Sequence, residues 1–284
     1  MNSPDFWVIF TDLDGTLLDE STYGGEDALP AIRCCRRRNI PVILVSSKSR
    51  EEMEMLRRRI GVSAPFVVEN GGAVFFPDRA GWEIPLDSFK DRGLWKWPLG
   101  ISYDRAVRVL QEIRKELGWD IKGFSEMSID EISRRTGLDK ESARLAARRE
   151  HEEPFVVEMP DPVDSAALRE AAERRGLSIT EGGRFFHLQG KHDKGMAMDK
   201  LLSVFSRSVR GGVVSIALGD SPNDFSMLER ADYPVLVRSK RNFPDLKRRL
   251  PRLIVTKESG PKGWNTAVLD ILKSDERRQD NVRR

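Results

Sequence analysis

Residues Phe6-Trp7-Val8-Ile9-Phe10 form an apolar run with no polar alternation, and the run ends at once in Thr11-Asp12-Leu13-Asp14-Gly15-Thr16. Aromatic and β-branched residues in such a run suit a strand buried on both faces of a parallel sheet. Catalytic and ligand-binding groups of these sheets stand beyond the carboxyl ends of the strands, which is where Asp12 and Asp14 fall. Gly15 permits a sharp turn there, and Thr16 offers a hydroxyl to fix the loop. An ordinary turn also accepts Asp-x-Asp-Gly, so the run alone does not fix the chemistry. A helix-loop-helix calcium loop would need Gly sixth and a bidentate Glu twelfth. Here Gly is fourth, the twelfth residue is Tyr23, and a strand precedes the loop.

Strand-like and helix-like patterns alternate over the first 76 residues. Apolar spacing across 28–36 predicts a helix, Pro41-Val42-Ile43-Leu44-Val45 a buried strand ending in Ser46-Ser47-Lys48-Ser49-Arg50, and Met53, Leu56 and Ile60 the stripe of a helix stopped by Gly61. Phe66-Val67-Val68 then leads through Glu69-Asn70-Gly71-Gly72 into a hairpin-like Ala73-Val74-Phe75-Phe76. This rhythm predicts an α/β fold with a doubly wound, Rossmann-like parallel sheet. From about residue 86 the rhythm changes. Helices are expected over 105–117, from Ser128 as cap with Glu131 as its box partner, over 140–149 and over 168–175. Strands are expected over 155–158, 177–180 and, after a Gly182-Gly183 turn, 184–188. The sheet pattern resumes with Lys194-Gly195 opening a helix and Val213-Val214-Ser215-Ile216-Ala217-Leu218, the longest apolar strand, which delivers Gly219-Asp220-Ser221-Pro222-Asn223-Asp224. Val235-Leu236-Val237 and Leu253-Ile254-Val255 read as edge strands. The expected division is a core of 1–85 and 190–273, an inserted α+β cap of 86–189, and a disordered tail of 274–284.

A chain of 284 residues with 39% hydrophobic and 33% charged side chains can bury one large or two smaller cores, which excludes a disordered protein. Net charge is +3, but the basic clusters at 36–38, 57–59 and 247–249 fall on separate helices and read as solvated faces, so no nucleic-acid partner is expected. No apolar run approaches the ~18 residues of a membrane span. The first residues lack the basic and apolar regions of a signal peptide, and the two cysteines, Cys34 and Cys35, are adjacent and read as free thiols. Both features point to the cytoplasm. The sequence is silent on oligomeric state.

Phosphoryl transfer needs a nucleophile, a divalent cation against the phosphate charge and fixed donors to its oxygens. Asp12 through Thr16, a strand-end Ser46, Lys194 at a helix start, and Gly219-Asp220 with Asn223-Asp224 supply candidates in that order. Singly, a strand-end Ser is an ordinary turn former and a lone Lys an ordinary solvated charge. Together the four motifs resemble those of the haloacid dehalogenase superfamily, on both sides of the insertion. The resemblance implies that Asp12 is the nucleophile, Asp14 the general acid and base, and Ser46 and Lys194 phosphate-binding catalytic groups. Mg2+ would be held by Asp12, Asp14 through its carbonyl, Asp220 and Asp224.

The insertion point resembles the branch with α/β caps that dephosphorylates small sugar phosphates. Glu69-Asn-Gly-Gly72, Gly123-Phe-Ser-Glu-Met127, Arg149-Glu-x-x-Glu-Pro-Phe155, Arg184-Phe-Phe-His-Leu188 and Gly260-Pro-Lys-Gly-Trp264 are similar to the mannosyl-3-phosphoglycerate phosphatases within it. His151 stands where that pattern would carry an aromatic or small residue. The likeness implies a substrate carrying a phosphate, a carboxylate and a sugar, and product use as a compatible solute. Lys48, Arg50 and Arg149 are then candidates for the carboxylate, and Asn70, Glu153, His187, Gln189 and Asn223 complete the substrate-binding set. Arg149 as a surface residue and His187 as a satisfied interior one are the plain alternatives. A glucosyl-3-phosphoglycerate or sucrose 6-phosphate phosphatase, a phosphomutase and a non-enzymatic metabolite binder also remain open at this stage.

Overall fold

The computed structural model describes residues 5–78, 81–158, 163–181 and 185–283. The first half runs β1 (Phe6–Thr11), α1 (Leu29–Arg37), β2 (Val42–Val45), α2 (Arg50–Ile60), β3 (Phe66–Val68), β4 (Ala73–Pro77), β5 (Phe89–Asp91), β6 (Leu94–Pro98), α3 (Tyr103–Leu117), β7 (Ile121–Gly123), α4 (Ile129–Thr136) and α5 (Lys140–Ala146). It continues with β8 (Glu152–Val157), α6 (Ser165–Glu173), β9 (Ser178–Glu181), β10 (Phe186–Gln189), α7 (Lys194–Ser208), β11 (Val213–Gly219), α8 (Phe225–Leu228), β12 (Tyr233–Arg238), α9 (Pro244–Arg249), β13 (Ile254–Ser259) and α10 (Gly260–Arg283). The chain is α/β, with a parallel sheet as expected. The Gly182-Gly183 turn and Arg184 lie outside the described residues. Among the described residues no helix is long and apolar enough to cross a membrane.

Backbone contacts divide the chain into two compact units, Met1–Val45 with Gly81–Glu83 and Met198–Arg284, and Ser46–Ala80 with Ile84–Ala197. Residues 46–80 therefore group with the inserted segment, because Ser49 Oγ donates to the Leu145 carbonyl (2.8 Å) and Arg50 reaches Asp91.

In the first unit five parallel strands lie in the order β13, β12, β11, β1, β2. β12, expected at an edge, is interior to this order. From β1 the chain goes to β2 on one side, while β11 pairs on the other, so the strand order reverses between β1 and β11. Ligands of open α/β sheets collect at such a reversal, beyond the strands' carboxyl ends. Side chains alternate across a strand, and both faces of β1 are covered. Phe6 and Phe10 lie 5.9 and 6.5 Å from the Phe205 ring of α7, which also stacks edge-on with Trp82 at 4.6 Å. On the other face Thr11 Oγ1 accepts from the indole N–H of the fully buried Trp264 in α10, at 2.9 Å, and donates to the Asp12 carbonyl at 2.7 Å. Helix α10 runs from Gly260 to Arg283, so the backbone from residue 274 to 283 is helical.

The second unit holds two antiparallel sheets, β3, β4, β6, β5 in one and β7, β8, β10, β9 in the other. The second sheet carries a core built on Leu110, Ile113, Phe155, Leu168 and Leu188. Helix α4 begins at Ser128, whose side chain accepts from the Glu131 N–H as expected. Helix α5 ends at Ala146, short of the expected 149: the Arg149 side chain instead donates from Nε to the Ala146 carbonyl, 2.8 Å away.

Trp264 both fills the core and orients the strand end that carries Asp12. Trp264→Ala is expected to lower unfolding free energy by about 3–5 kcal/mol, and Trp264→Phe, which keeps a ring but loses the N–H, by about half that or less. Urea midpoints of the two variants against the parent check the ordering.

Candidate active site

In the first unit, the residues after β1 and β11 are held by backbone geometry that only particular side chains allow. Leu13, Leu17 and Leu18 are buried and pin the loop, and the N–H groups of Thr16 and Leu18 both donate to the Leu13 carbonyl. Gly15 has φ +76°, and a Cβ there would come within 2.8 Å of Asp220 Oδ2. Thr16 Oγ1 donates to Asp220 Oδ1 at 3.2 Å. Gly219 is as constrained, since a Cβ would fall 2.3 Å from that of Asp224. Asp224, fully buried, accepts on Oδ2 from the N–H groups of Asp220 (3.0 Å) and Ser221 (3.1 Å) and from Ser221 Oγ. Ser221 Oγ also donates to Asn223 Oδ1 at 2.6 Å.

The outcome is that one oxygen from each of Asp12, Asp220 and Asp224 lies within 4.8 Å of the others. Like charges about 4 Å apart repel by on the order of 4 kcal/mol at an effective dielectric near 20. A hard, all-oxygen donor set of this kind fits a divalent cation such as Mg2+. Asp14, two residues from Asp12, forms an isolated bridge with Leu18 at the same strand end. An open cavity of about 720 Å³ is lined by Gly15 and Asp220 and flanked by Arg238, Lys240, Lys257 and Lys262, with Asp19, Glu20 and Glu258 interspersed.

The second unit brings together most of the remaining candidates. Ser46 is buried, its carbonyl accepts from the Asn70 N–H at 3.0 Å and its Oγ from the Lys48 N–H at 3.3 Å. A Cβ on Gly71 would strike the Asp193 carbonyl at 2.3 Å, so the Asn70-Gly71 turn lies against the residue that caps α7, immediately before the buried Lys194. Arg149 donates from Nη1 to the Ser47 carbonyl (2.5 Å) and to Glu152 Oε1 (3.1 Å), and lies over the Phe124 ring at 5.6 Å. His187 Nδ1 bonds Glu152 Oε1 at 2.9 Å, and Asn70 Nδ2 bonds Glu152 Oε2 at 2.9 Å. Glu153 accepts on Oε1 from the N–H and Oγ of Ser125, and its Oε2 is buried with no hydrogen-bond partner. Burial accordingly raises the Glu153 carboxyl above its ordinary pKa, against the pull of Ser125 and Tyr103.

Three candidates make other contacts within the unit. Arg50 is fully buried and spends its donors on Glu54 Oε1 (2.7 Å), Asp91 Oδ2 (2.5 Å) and the Asp91 carbonyl (2.8 Å), above the Phe75 ring. These contacts tie α2 to β5. Gln189 is buried, donates from Nε2 to the His192 carbonyl and accepts from Thr180 Oγ1. Lys48 lies 3.9 Å from Glu52.

The sequence reading passed over two buried carboxylates. Glu69, left-handed at φ +48°, accepts the N–H groups of Glu150, His151 and Glu152. Burial pushes its pKa up, and the nearby Arg149 and these N–H groups pull against that. Glu152 goes the other way: burial opposes its ionisation, but His187 and Arg149 hold it below the usual carboxylate range. A motif written Arg149-Glu-x-x-Glu treats Glu152 as a wild card, which is why no sequence signal raised it.

Parallel sheet, strand-order reversal and acidic cluster together define an α/β core with a cation-binding site at the carboxyl ends of its strands. Residues 9–90 match the model of the haloacid dehalogenase-like hydrolase family, and full-length relatives extend the match, so the chain belongs to that family. One relative, named glucosyl-3-phosphoglycerate/mannosyl-3-phosphoglycerate phosphatase, from Persephonella marina, is 39% identical over 273 residues, 95% of this chain and 98% of its own. The mannosyl-3-phosphoglycerate phosphatase of Pyrococcus furiosus is 32% identical over 83% of this chain and 92% of its own. A crystal structure from Thermoplasma acidophilum shares the fold with a TM-score of 0.66 at 20% identity, covering 93% of this chain and 97% of that one.

His151 stands where the pattern had no histidine, and it sets an acid limit on stability. Its Nδ1 is 2.8 Å from the Ile101 carbonyl, and burial, with Lys96 adding to it, lowers its pKa from 6.5 to about 4. The folded state therefore keeps this ring neutral where the unfolded chain protonates it. This ring's contribution is full above pH 6.5 and is lost as pH falls through 6.5 toward 4, by about 3 kcal/mol. His192, lowered by burial in the same way, adds to the loss, whereas the carboxyls of Glu69 and Glu153, raised by burial, act in the opposite sense as pH falls. The ring is therefore read by difference: the urea midpoint of the parent relative to that of His151→Gln is expected to decrease from pH 7 to 5.5 to 4.

Proposed function

We propose that the protein is a Mg2+-dependent phosphatase that hydrolyses mannosyl-3-phosphoglycerate to mannosylglycerate and phosphate, and that accepts the glucosyl analogue. The observation that carries the reading is the carboxylate cluster of Asp12, Asp220 and Asp224 beyond β1 and β11, with Asp14 two residues beyond Asp12. Relatives named for these two substrates, matched over nearly the whole chain, support the substrate class.

A carboxylate oxygen of Asp12 forms a bond to phosphorus as the bond to the glycerate oxygen breaks, and Asp14 gives that leaving oxygen its proton. Asp14, now a carboxylate, takes a proton from water as the water oxygen attacks phosphorus. The bond to Asp12 breaks, and phosphate leaves. Asp12, the Asp14 carbonyl, Asp220 and Asp224 would hold Mg2+, which supplies positive charge against the phosphoryl oxygens. Ser46 and Lys194 take the phosphate-binding roles that their motifs imply.

Because these groups serve any leaving group, discrimination falls to residues that read the rest of the molecule. Arg149 meets the carboxylate, with Lys48 beside it. Asn70, Glu153, His187 and Asn223 take hydroxyl groups. The functional division is a core of 1–85 and 190–273 and a cap of 86–189, with the cap carrying specificity. Cys34 and Cys35 are free thiols, which suits a cytoplasmic location.

Purified protein assayed with Mg2+ against both phosphoglycerates, sucrose 6-phosphate and mannose phosphates is expected to favour the carboxylated pair by on the order of a hundredfold in kcat/KM. Chelation removes turnover. Asp12→Asn lowers kcat by roughly a thousandfold or more with the melting temperature little changed, and Arg149→Ala narrows the preference. A preference for a substrate without a carboxylate would overturn the specificity, and an active Asp12→Asn the mechanism.

A further inference from the structure

Three side chains with proposed ligand roles converge on one residue that has none. Glu152 is fully buried at the first position of β8, in register with Gln189 of β10. It accepts from Arg149 Nη1 at 3.1 Å, His187 Nδ1 at 2.9 Å and Asn70 Nδ2 at 2.9 Å. These donors come from separate places: the turn before β8, β10, and the turn after β3. Its own N–H donates to Glu69 Oε2 at 2.9 Å, and Glu69 also takes the N–H groups of Glu150 and His151. Glu152 is thereby fixed from behind while it fixes three groups in front.

The chemistry of each bond limits what its donor can do elsewhere. A neutral imidazole that donates from Nδ1 to a carboxylate presents its Nε2 lone pair, so a neutral His187 is set to accept a hydrogen bond rather than give one. An amide whose Nδ2 faces a carboxylate cannot be flipped without placing oxygen against oxygen, which sets the orientation of Asn70. A guanidinium tied by one edge to Glu152 and to the Ser47 carbonyl is held in plane, and it keeps its charge because a carboxylate lies beside it. Removing one partner from a buried charged network leaves the rest uncompensated.

We propose that Glu152 is the positioning residue of the specificity site, fixing the His187 tautomer, the Asn70 amide and the Arg149 guanidinium so that together they select a carboxylated glycoside phosphate. The inference rests on the proposed function for its substrate, and on the geometry alone for its positioning claim. Glu152 acts through these three groups and touches no reacting atom.

Two measurements test it. In the wild-type protein, which has only three histidines, nitrogen-15 NMR reads the tautomer of His187 directly. The neutral Nδ1–H form sustains the proposal, and either the Nε2–H form or a doubly protonated ring at pH 7.5 overturns it, whatever the substrate. Kinetically, Glu152→Gln is expected to lower the ratio of kcat/KM for mannosyl-3-phosphoglycerate to that for p-nitrophenyl phosphate by at least about tenfold, mostly through KM. His187→Ala combined with Glu152→Gln is expected to be no worse than the poorer single variant, because the two act as one unit. Equal losses on both substrates, or fully additive losses, overturn the positioning role. If the parent enzyme itself ignores carboxylated substrates, the proposed function falls, and the tautomer alone decides the role of Glu152. The tautomer also decides it should Glu152→Gln fail to fold.

Discussion

Repulsion among buried carboxylates is the constraint on which the rest of this protein depends. In the first unit the buried Asp12 and Asp224 and the half-buried Asp220 approach one another where the strand order reverses, and nothing in a sheet's own hydrogen bonding favours that. The fold offsets it with rigidity. Asp224 is tied by the backbone N–H groups of Asp220 and Ser221, Asp220 by Thr16, and the Asp12 backbone by Thr11 and Trp264. Each of these restraints comes from a neutral donor and fixes a carboxylate in place.

The second unit meets the same constraint differently. Glu69 and Glu152 are both fully buried, and their compensation is built in: three backbone N–H groups for one, a guanidinium, an imidazole and an amide for the other. The charge of the second cluster is thus compensated by side chains and backbone of its own unit, whereas the first gathers three carboxylates into a donor set that fits a divalent cation.

How much was legible in the sequence follows from the range of each interaction. β1 and β11 were readable because strands buried on both faces are continuous apolar runs, and the carboxylates follow them within a residue or two. The hairpin of β5 and β6 was not, since β5 is largely exposed and Arg92 enters the left-handed region that usually signals glycine. The pairing of Arg50 with Asp91 was not legible either, since the two are 41 residues apart and local pattern carries no record of such pairs. Glu152 was invisible for a related reason: its three donors come from positions 70, 149 and 187.

The two crowded glycines have a consequence for how such chains diverge. At Gly15 and Gly219 the missing side chain is the space occupied by Asp220 and Asp224, so a larger residue at either position displaces a carboxylate from the cluster. Drift can rewrite the recognition surface one contact at a time, but at these two positions it has no small step to take. A descendant that has replaced either glycine would have exchanged its chemistry for some other use of the same scaffold.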